Sequence, residues 1–406
     1  MKLNICVLSL LVSQILAGHE PKPAFGNYPD ICTNRTAGVL KLTPTECDPT
    51  GREGPDIQVG STLYPAGKYS HMVIGRPGGK GKSGKKGKKV AKEPKKSKKG
   101  GKGSMPVVVY LPGTTDWPAL SSCLLESVSK TGYPVIGLNH AYLRRGDSFR
   151  NARCESLSSL EEQVFCLEQQ HIDAIYGGDY GSKNFLNDAE FWQEVDARDS
   201  IEGRLGLLLK KLDNLSPNDG WGSYYSDNEY PMPPTPKWSE FIVMGHSQGA
   251  GHAAYLAKTR DIRGAALVSG PQDECINCPQ GTKLWIDEPF VTTAVTGFAQ
   301  SGEGLYSVIE DNWNRMDVSW STGVPTDVDF ALDDNYDLCK TPIVSSVDHN
   351  PHSPCGGSTL PSPSKRHCST ALDDSAPRLE KINDGDVRYI YGLNVWPNLA
   401  TEVLNC

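Results

Sequence analysis

Gly245-His246-Ser247-Gln248-Gly249 sets one serine between two glycines, with the apolar run Phe241-Ile242-Val243-Met244 before it and the small residues Ala250, Gly251, Ala253 and Ala254 after it. The five-residue pattern alone is weak, and its setting carries the weight. A buried strand followed at once by a helix is the context in which a sharp turn lifts a serine hydroxyl toward a carbonyl carbon. Glycines flank such a turn because its backbone is strained and neighbouring chains approach closely. A serine hydroxyl is a poor nucleophile until a histidine takes its proton, and that histidine needs a carboxylate to orient it. The histidines after Ser247 are His252, His349, His352 and His367. His252 falls in the helix after the turn, where packing or solvation is the expected role.

A second segment suits the same chemistry. Leu111-Pro112-Gly113-Thr114-Thr115 directly follows the apolar run Val107–Leu111. Backbone N–H groups of Gln248 and of Thr114 or Thr115 are candidates to hold a developing oxyanion, each worth about 3–4 kcal/mol.

The elements that must position these groups follow from periodicity. Short apolar runs at Pro106–Leu111, Pro134–Leu138, Phe241–Met244, Ala265–Val268 and Val291–Val295 predict buried strands. Asp56 to Ile74 alternates polar and apolar residues around Pro65-Ala66-Gly67 and predicts two short strands. Ile201, Leu205, Leu208, Leu209 and Leu212 form one stripe of a helix over Asp199–Leu215, capped by Asp199 or Ser200. Strands alternating with helices predict an α/β fold, a mainly parallel sheet covered on both faces.

The 406 residues carry a net charge of −7, which averages two unlike parts. Between Lys80 and Lys102 stand 12 lysines and one acid, Glu93, a net +11, so the rest of the chain carries −18. The segment 80–103 has no helical or strand period and is expected to be a solvated insert between two strands, where a long excursion costs little. Lysine is a point charge without the fork that reads bases, and no aromatic interleaves the run, so nucleic acid is not the expected partner. Adhesion to a polyanion, an acidic polysaccharide or a mineral surface, is the expected function of this loop.

Met1 to Ala17 has one early lysine, an apolar run and then small residues, the pattern of a secretory signal cleaved after Ala17 or Gly18. Residues 18–406 are then expected to form one secreted, extracellular domain. No later segment has the roughly 18 uninterrupted apolar residues of a membrane span. An oxidising compartment favours cysteine pairing; Cys154 with Cys166 and Cys275 with Cys278 are the expected local pairs among 12 cysteines. Asn34 and Asn214 begin glycosylation sequons. Asp348, His349, His352 and Cys355 have spacing that could wrap a metal, but such residues also collect in polar loops, and no metal or other cofactor is expected.

The chain resembles the α/β-hydrolases, and within them a secreted branch. The matching segments are VVVYLPGT, GYPVIGLNH, RDSIEGRLGLLLKKLD, FIVMGHSQGAGHAAYLAK, ALVSGPQD, TGFAQSGEGLYSVIEDNW and RHCSTALDD, spread from Pro106 to Asp374. The resemblance implies an α/β-hydrolase fold and a chain order of serine, acid, histidine. It implies His367 as the base, with His352 as the alternative, and Glu303 as the acid, with Asp273 as the alternative. The activity it implies is hydrolysis of a small or polymeric ester by Ser247, without a cofactor. The competing expectation is a surface or matrix protein with a catalytically silent hydrolase body that binds polyanions through its lysine loop.

Overall fold

The computed structural model describes residues 39–47, 56–59, 62–65, 69–75, 77, 105–114, 116–140, 154, 157–177, 195–229, 232–275, 277–316, 318, 326–327, 342–346, 362–373, 376, 378–382, 386–389, 391, 395–404 and 406. The expected signal, Asn34, the lysine insert, Thr115, His349 and His352 lie outside them.

The central sheet has nine strands among the described residues: β1 (Val39–Leu42), β2 (His71–Ile74), β3 (Val107–Leu111), β4 (Val135–Gly137), β5 (Phe241–His246), β6 (Gly264–Val268), β7 (Val295–Gln300), β8 (Thr326–Asp327) and β9 (Ile343–Ser345). Their spatial order is β1-β2-β4-β3-β5-β6-β7-β9-β8. β2 runs antiparallel to both its neighbours, and every other pairing is parallel.

A parallel sheet is stable when both faces are covered, and the side-chain alternation shows both covers. Val107, Val109 and Leu111 of β3, with Val243 of β5, face a core built with helices α2 (Leu160–Tyr176), α3 (Ile201–Leu215) and α4 (Gln248–Thr259). Val108, Tyr110, Ile242 and Met244 face the opposite core, built with α1 (Ser122–Ser129) and the C-terminal helix Val395–Glu402. This mixed sheet, covered on both faces and turning from strand into helix at Ser247, is the α/β-hydrolase fold.

Local signals account for most boundaries. Ser200 caps α3 by accepting from the Gly203 N–H at 3.0 Å, which decides between the two expected caps. α2 begins with a capping box between Ser159 and Glu162. The disulfides Cys154–Cys166 and Cys275–Cys278 form, with Cα separations of 5.4 and 5.3 Å.

Two expectations need correction. Asp56–Val59 and Thr62–Pro65 pair as a separate hairpin with Val59 opposite Thr62, so two strands, not one, precede Ala66. The third strand of that stretch, β2, joins the central sheet. The strand expected at Val291–Val295 is instead Val295–Gln300. Val291 is 59% exposed, and Thr292 turns its hydroxyl onto Arg260 O at 2.9 Å, so the apolar look of residues 291–295 reflects a loop clamped to the end of α4. The true strand contains Thr296, Gly297 and Gln300, which dilute its apolar signal.

Trp396 is fully buried, and its indole N–H donates to Thr370 O at 2.8 Å, three residues beyond His367. Trp396→Ala is expected to lower the unfolding free energy by about 3–5 kcal/mol. Leu215→Ala, at a 53% exposed position, should cost under about 0.5 kcal/mol. Denaturant unfolding of the two variants checks this, and equal losses would contradict the packing described.

Candidate active site

Ser247 ends β5 and precedes α4 with φ 56° and ψ −119°, a left-handed backbone that a non-glycine residue rarely adopts. The strain is held by close packing around it. A Cβ on Gly245 would stand 2.0 Å from Gly249 O, and one on Gly249 would stand 2.1 Å from Leu111 O. Any side chain at either position would open the turn. Gly113 comes equally close on the other side: a Cβ there would sit 3.0 Å from Ser247 Cβ. The loop after β3 therefore lies directly over the serine.

Gln248 starts α4, where backbone N–H groups point outward and the helix dipole favours negative charge. Its side chain is buried and accepts from Thr114 Oγ1 at 3.0 Å, tying the loop after β3 to the start of the helix. Thus Gln248 and Thr114 meet beside Ser247.

His367 lies in helix α5 (Ser362–Ser369), one-fifth exposed at its side chain, and its Nδ1–H donates to Glu303 Oε2. Glu303 stands in the loop after β7 with its carboxylate fully buried. The other oxygen, Oε1, accepts from Ser269 Oγ at 2.9 Å and from the Gln300 N–H at 3.1 Å. A buried carboxylate with three donors is satisfied without water. Thr370 Oγ1 donates to His367 O at 2.8 Å and lies 2.9 Å from Ser269 Oγ.

Several residues at the site carried no signal of their own in the sequence. Ser269, at the end of β6, is the second non-glycine residue with positive φ, 50°. His246 is buried; its Nε2–H donates to His367 O at 3.2 Å, and its ring centroid stands 4.9 Å from that of His367. Asp116 Oδ2 is 3.8 Å from His246 Nδ1. Gln272 Nε2 donates to Ser269 O at 2.9 Å and lies 3.5 Å from His367 Nε2. Ser269 and Gln272 fall in the SGPQD segment, and His246 is the variable residue before the serine, so composition at those positions looks ordinary.

The alternative acid, Asp273, is buried but faces His171 Nε2 at 3.2 Å, away from His367. Asn214 is exposed near the end of α3. Among the described residues no group of three metal-ligating side chains converges, and no helix is long and apolar enough to cross a membrane.

No protein-family model matches the chain, and no curated protein matches it. Solved structures similar to it include a carboxylesterase of Bacillus cereus, 17% identical over 51% of this chain and 70% of that one, with a TM-score of 0.25. Another is a dienelactone hydrolase of Anabaena variabilis, 10% identical over 77% of this chain and 88% of that one, with a TM-score of 0.29. At such likeness the chemistry of this site rests on its own geometry.

Burial is the main cause that pushes the His246 pKa down to about 4; the neighbouring His367 acts in the same direction and Asp116 opposes it. The folded value lies below the ordinary histidine value of about 6.5, so the unfolded chain binds the extra proton between the two. Stability from the neutral His246 ring is complete above pH about 6.5 and is lost as the pH falls through about 4. His246→Gln keeps an N–H for His367 O without the titration. Between pH 5 and 6 its unfolding free energy should fall about 1 kcal/mol per pH unit less steeply than that of the wild type. Urea unfolding across that range measures the slopes, and identical slopes would contradict a buried neutral ring.

Proposed function

We propose that the protein is a secreted serine hydrolase that cleaves carboxylic esters through an acyl-enzyme. The observation that carries this reading is the pairing of His367 Nδ1 with the buried, triply hydrogen-bonded carboxylate of Glu303, in contact with the residue that precedes the strained Ser247. Ser247 Oγ attacks the ester carbonyl carbon while its proton passes to His367 Nε2. The Glu303 carboxylate fixes the imidazole by its Nδ1–H and stabilises the imidazolium that forms. The negative charge that develops on the carbonyl oxygen is held by backbone N–H groups at Gln248 and at Thr114 or Thr115. Collapse of the tetrahedral intermediate expels the alcohol, which takes the proton from His367 Nε2. Water then gives a proton to His367 Nε2 as it attacks the acyl-serine, and collapse of the second tetrahedral intermediate returns that proton to Ser247 Oγ and releases the acid. Every proton in the cycle moves through one nitrogen, and the chemistry calls for no cofactor. The secretory pattern of residues 1–17, the disulfides and the sequons at Asn34 and Asn214 support an extracellular setting.

Fluorophosphonate labelling tests the reading. Wild-type protein should label, Ser247→Ala should not, and Glu303→Gln should lower kcat on a short acyl ester by about 10³–10⁴-fold. A well-folded wild type that neither labels nor hydrolyses such esters would overturn it.

The concentration of +11 between Lys80 and Lys102 supports a second reading, in which the protein adheres to polyanions and the hydrolase body is catalytically silent. Under this reading, deletion of residues 81–101 should abolish salt-sensitive binding to heparin or silica, and neither the deleted nor the intact chain should hydrolyse esters. Binding that survives the deletion would count against the lysine loop as its source.

A further inference from the structure

Near the turn at Ser247, the elbow between β5 and α4, lies a second set of ionisable groups apart from the triad of Ser247, His367 and Glu303. His140, His171 and His252 are fully buried and Asp273 is 1% exposed. His171 Nε2–H donates to the Asp273 carboxylate at 3.2 Å, and His171 Nδ1 faces His252 Nδ1 at 3.0 Å, with one proton between them. His171 cannot turn freely: it stacks on Tyr255 at 5.4 Å and meets Trp285 edge-on at 4.9 Å. The His252 ring in turn meets His140 edge-on at 5.6 Å, and His140 Nε2–H donates to Pro112 O at 3.1 Å.

We infer that the Asp273–His171–His252 array, with His140 against it, is a positioning network that sets the oxyanion loop against the elbow helix; this rests on the hydrolase reading above. Its parts stand on the segments that must agree in register. Pro112 opens the loop that carries Gly113 and Thr114, and His252 rides on α4, whose first residue is Gln248. Asp273 follows Gln272, whose amide lies beside His367 Nε2. The backbone of the Asp273 segment is fixed from its far side, since Asn312 Nδ2 donates to Asp273 O at 2.9 Å and to Pro271 O at 3.2 Å.

Apolar side chains would fill this space without the desolvation cost of three imidazoles and a carboxylate. What they would not supply is direction. Hydrogen bonds between buried groups have narrow geometry and cannot slide, whereas methyl groups can. These contacts reach the loop at Pro112 and the helix that carries His252, so the four side chains act through the loop and the helix.

The contact atoms make the inference testable by paired substitutions. At His140 the contact is made by Nε2, which a glutamine amide reaches and an asparagine amide does not. At His252 it is made by Nδ1, which asparagine matches and glutamine overshoots. His140→Gln and His252→Asn should therefore keep kcat on p-nitrophenyl acetate within about threefold, while His140→Asn and His252→Gln lose about 10–100-fold with KM within about twofold. Amide hydrogen exchange in the peptide carrying Gly113 and Thr114 should quicken in the second pair only. A structural role set by volume would rank Asn and Gln the same way at both positions; that ranking, or wild-type kcat and exchange in all four variants, would overturn the inference. Wild-type protein without esterase activity would overturn the hydrolase reading alone, and the exchange ranking would still decide the network.

Discussion

A serine held at φ 56° is the constraint on which the site depends. Left to itself the backbone would relax, at a gain of roughly 1–3 kcal/mol. It is kept from doing so because β5, α4 and the loop after β3 meet at van der Waals distance, with hydrogen atoms where Gly245, Gly249 and Gly113 would otherwise carry side chains. The parallel sheet supplies the rigidity. Ser247 N donates to Val268 O of the next strand at 2.9 Å, so the turn is pinned to β6 as well as to its own strand. A surface loop could not hold this geometry, because nothing would oppose its relaxation.

The same sheet brings Glu303 and His367 together. Ser269 directly follows β6 and Gln300 ends β7, and both donate to Glu303 Oε1. The carboxylate is thus fixed by the ends of two adjacent strands. His367 is held twice through its own carbonyl, by Thr370 and by His246, and its ring meets Glu303 on one side and His246 on the other. The two bonds to Glu303 Oε1 are buried, so a water-poor environment strengthens them.

Legibility in the sequence followed the range of the physics involved. The elbow was readable because strand, glycine, serine and small-residue helix are adjacent in the chain and each is required by the same sharp turn. The strands β3, β5 and β6 were readable because burial on both faces leaves them apolar throughout. The strand β7 was placed several residues early because Thr296, Gly297 and Gln300 break its apolar run, while Val291, at the surface, imitates one. Glu303 and His367 were readable through resemblance to known motifs and not through their spacing, since residues 64 apart meet only when the sheet is formed. Ser269, Gln272 and His246 were not readable at all. A serine, a glutamine and a histidine have no periodic signature, and their part is set by tertiary contacts. His252 shows the same limit: its helix was expected, but the His171 ring that it meets comes from α2, 81 residues away.

A serine hydrolase of this kind must form a covalent bond between Ser247 Oγ and the acyl group. Rapid acid quenching during turnover of p-nitrophenyl acetate, followed by peptide mass mapping, tests that directly. An acetyl group is expected on the peptide containing Ser247, approaching one per chain and absent when His367 is replaced by alanine. Steady turnover with no acetyl on Ser247, or with the acetyl on a different residue, would contradict it.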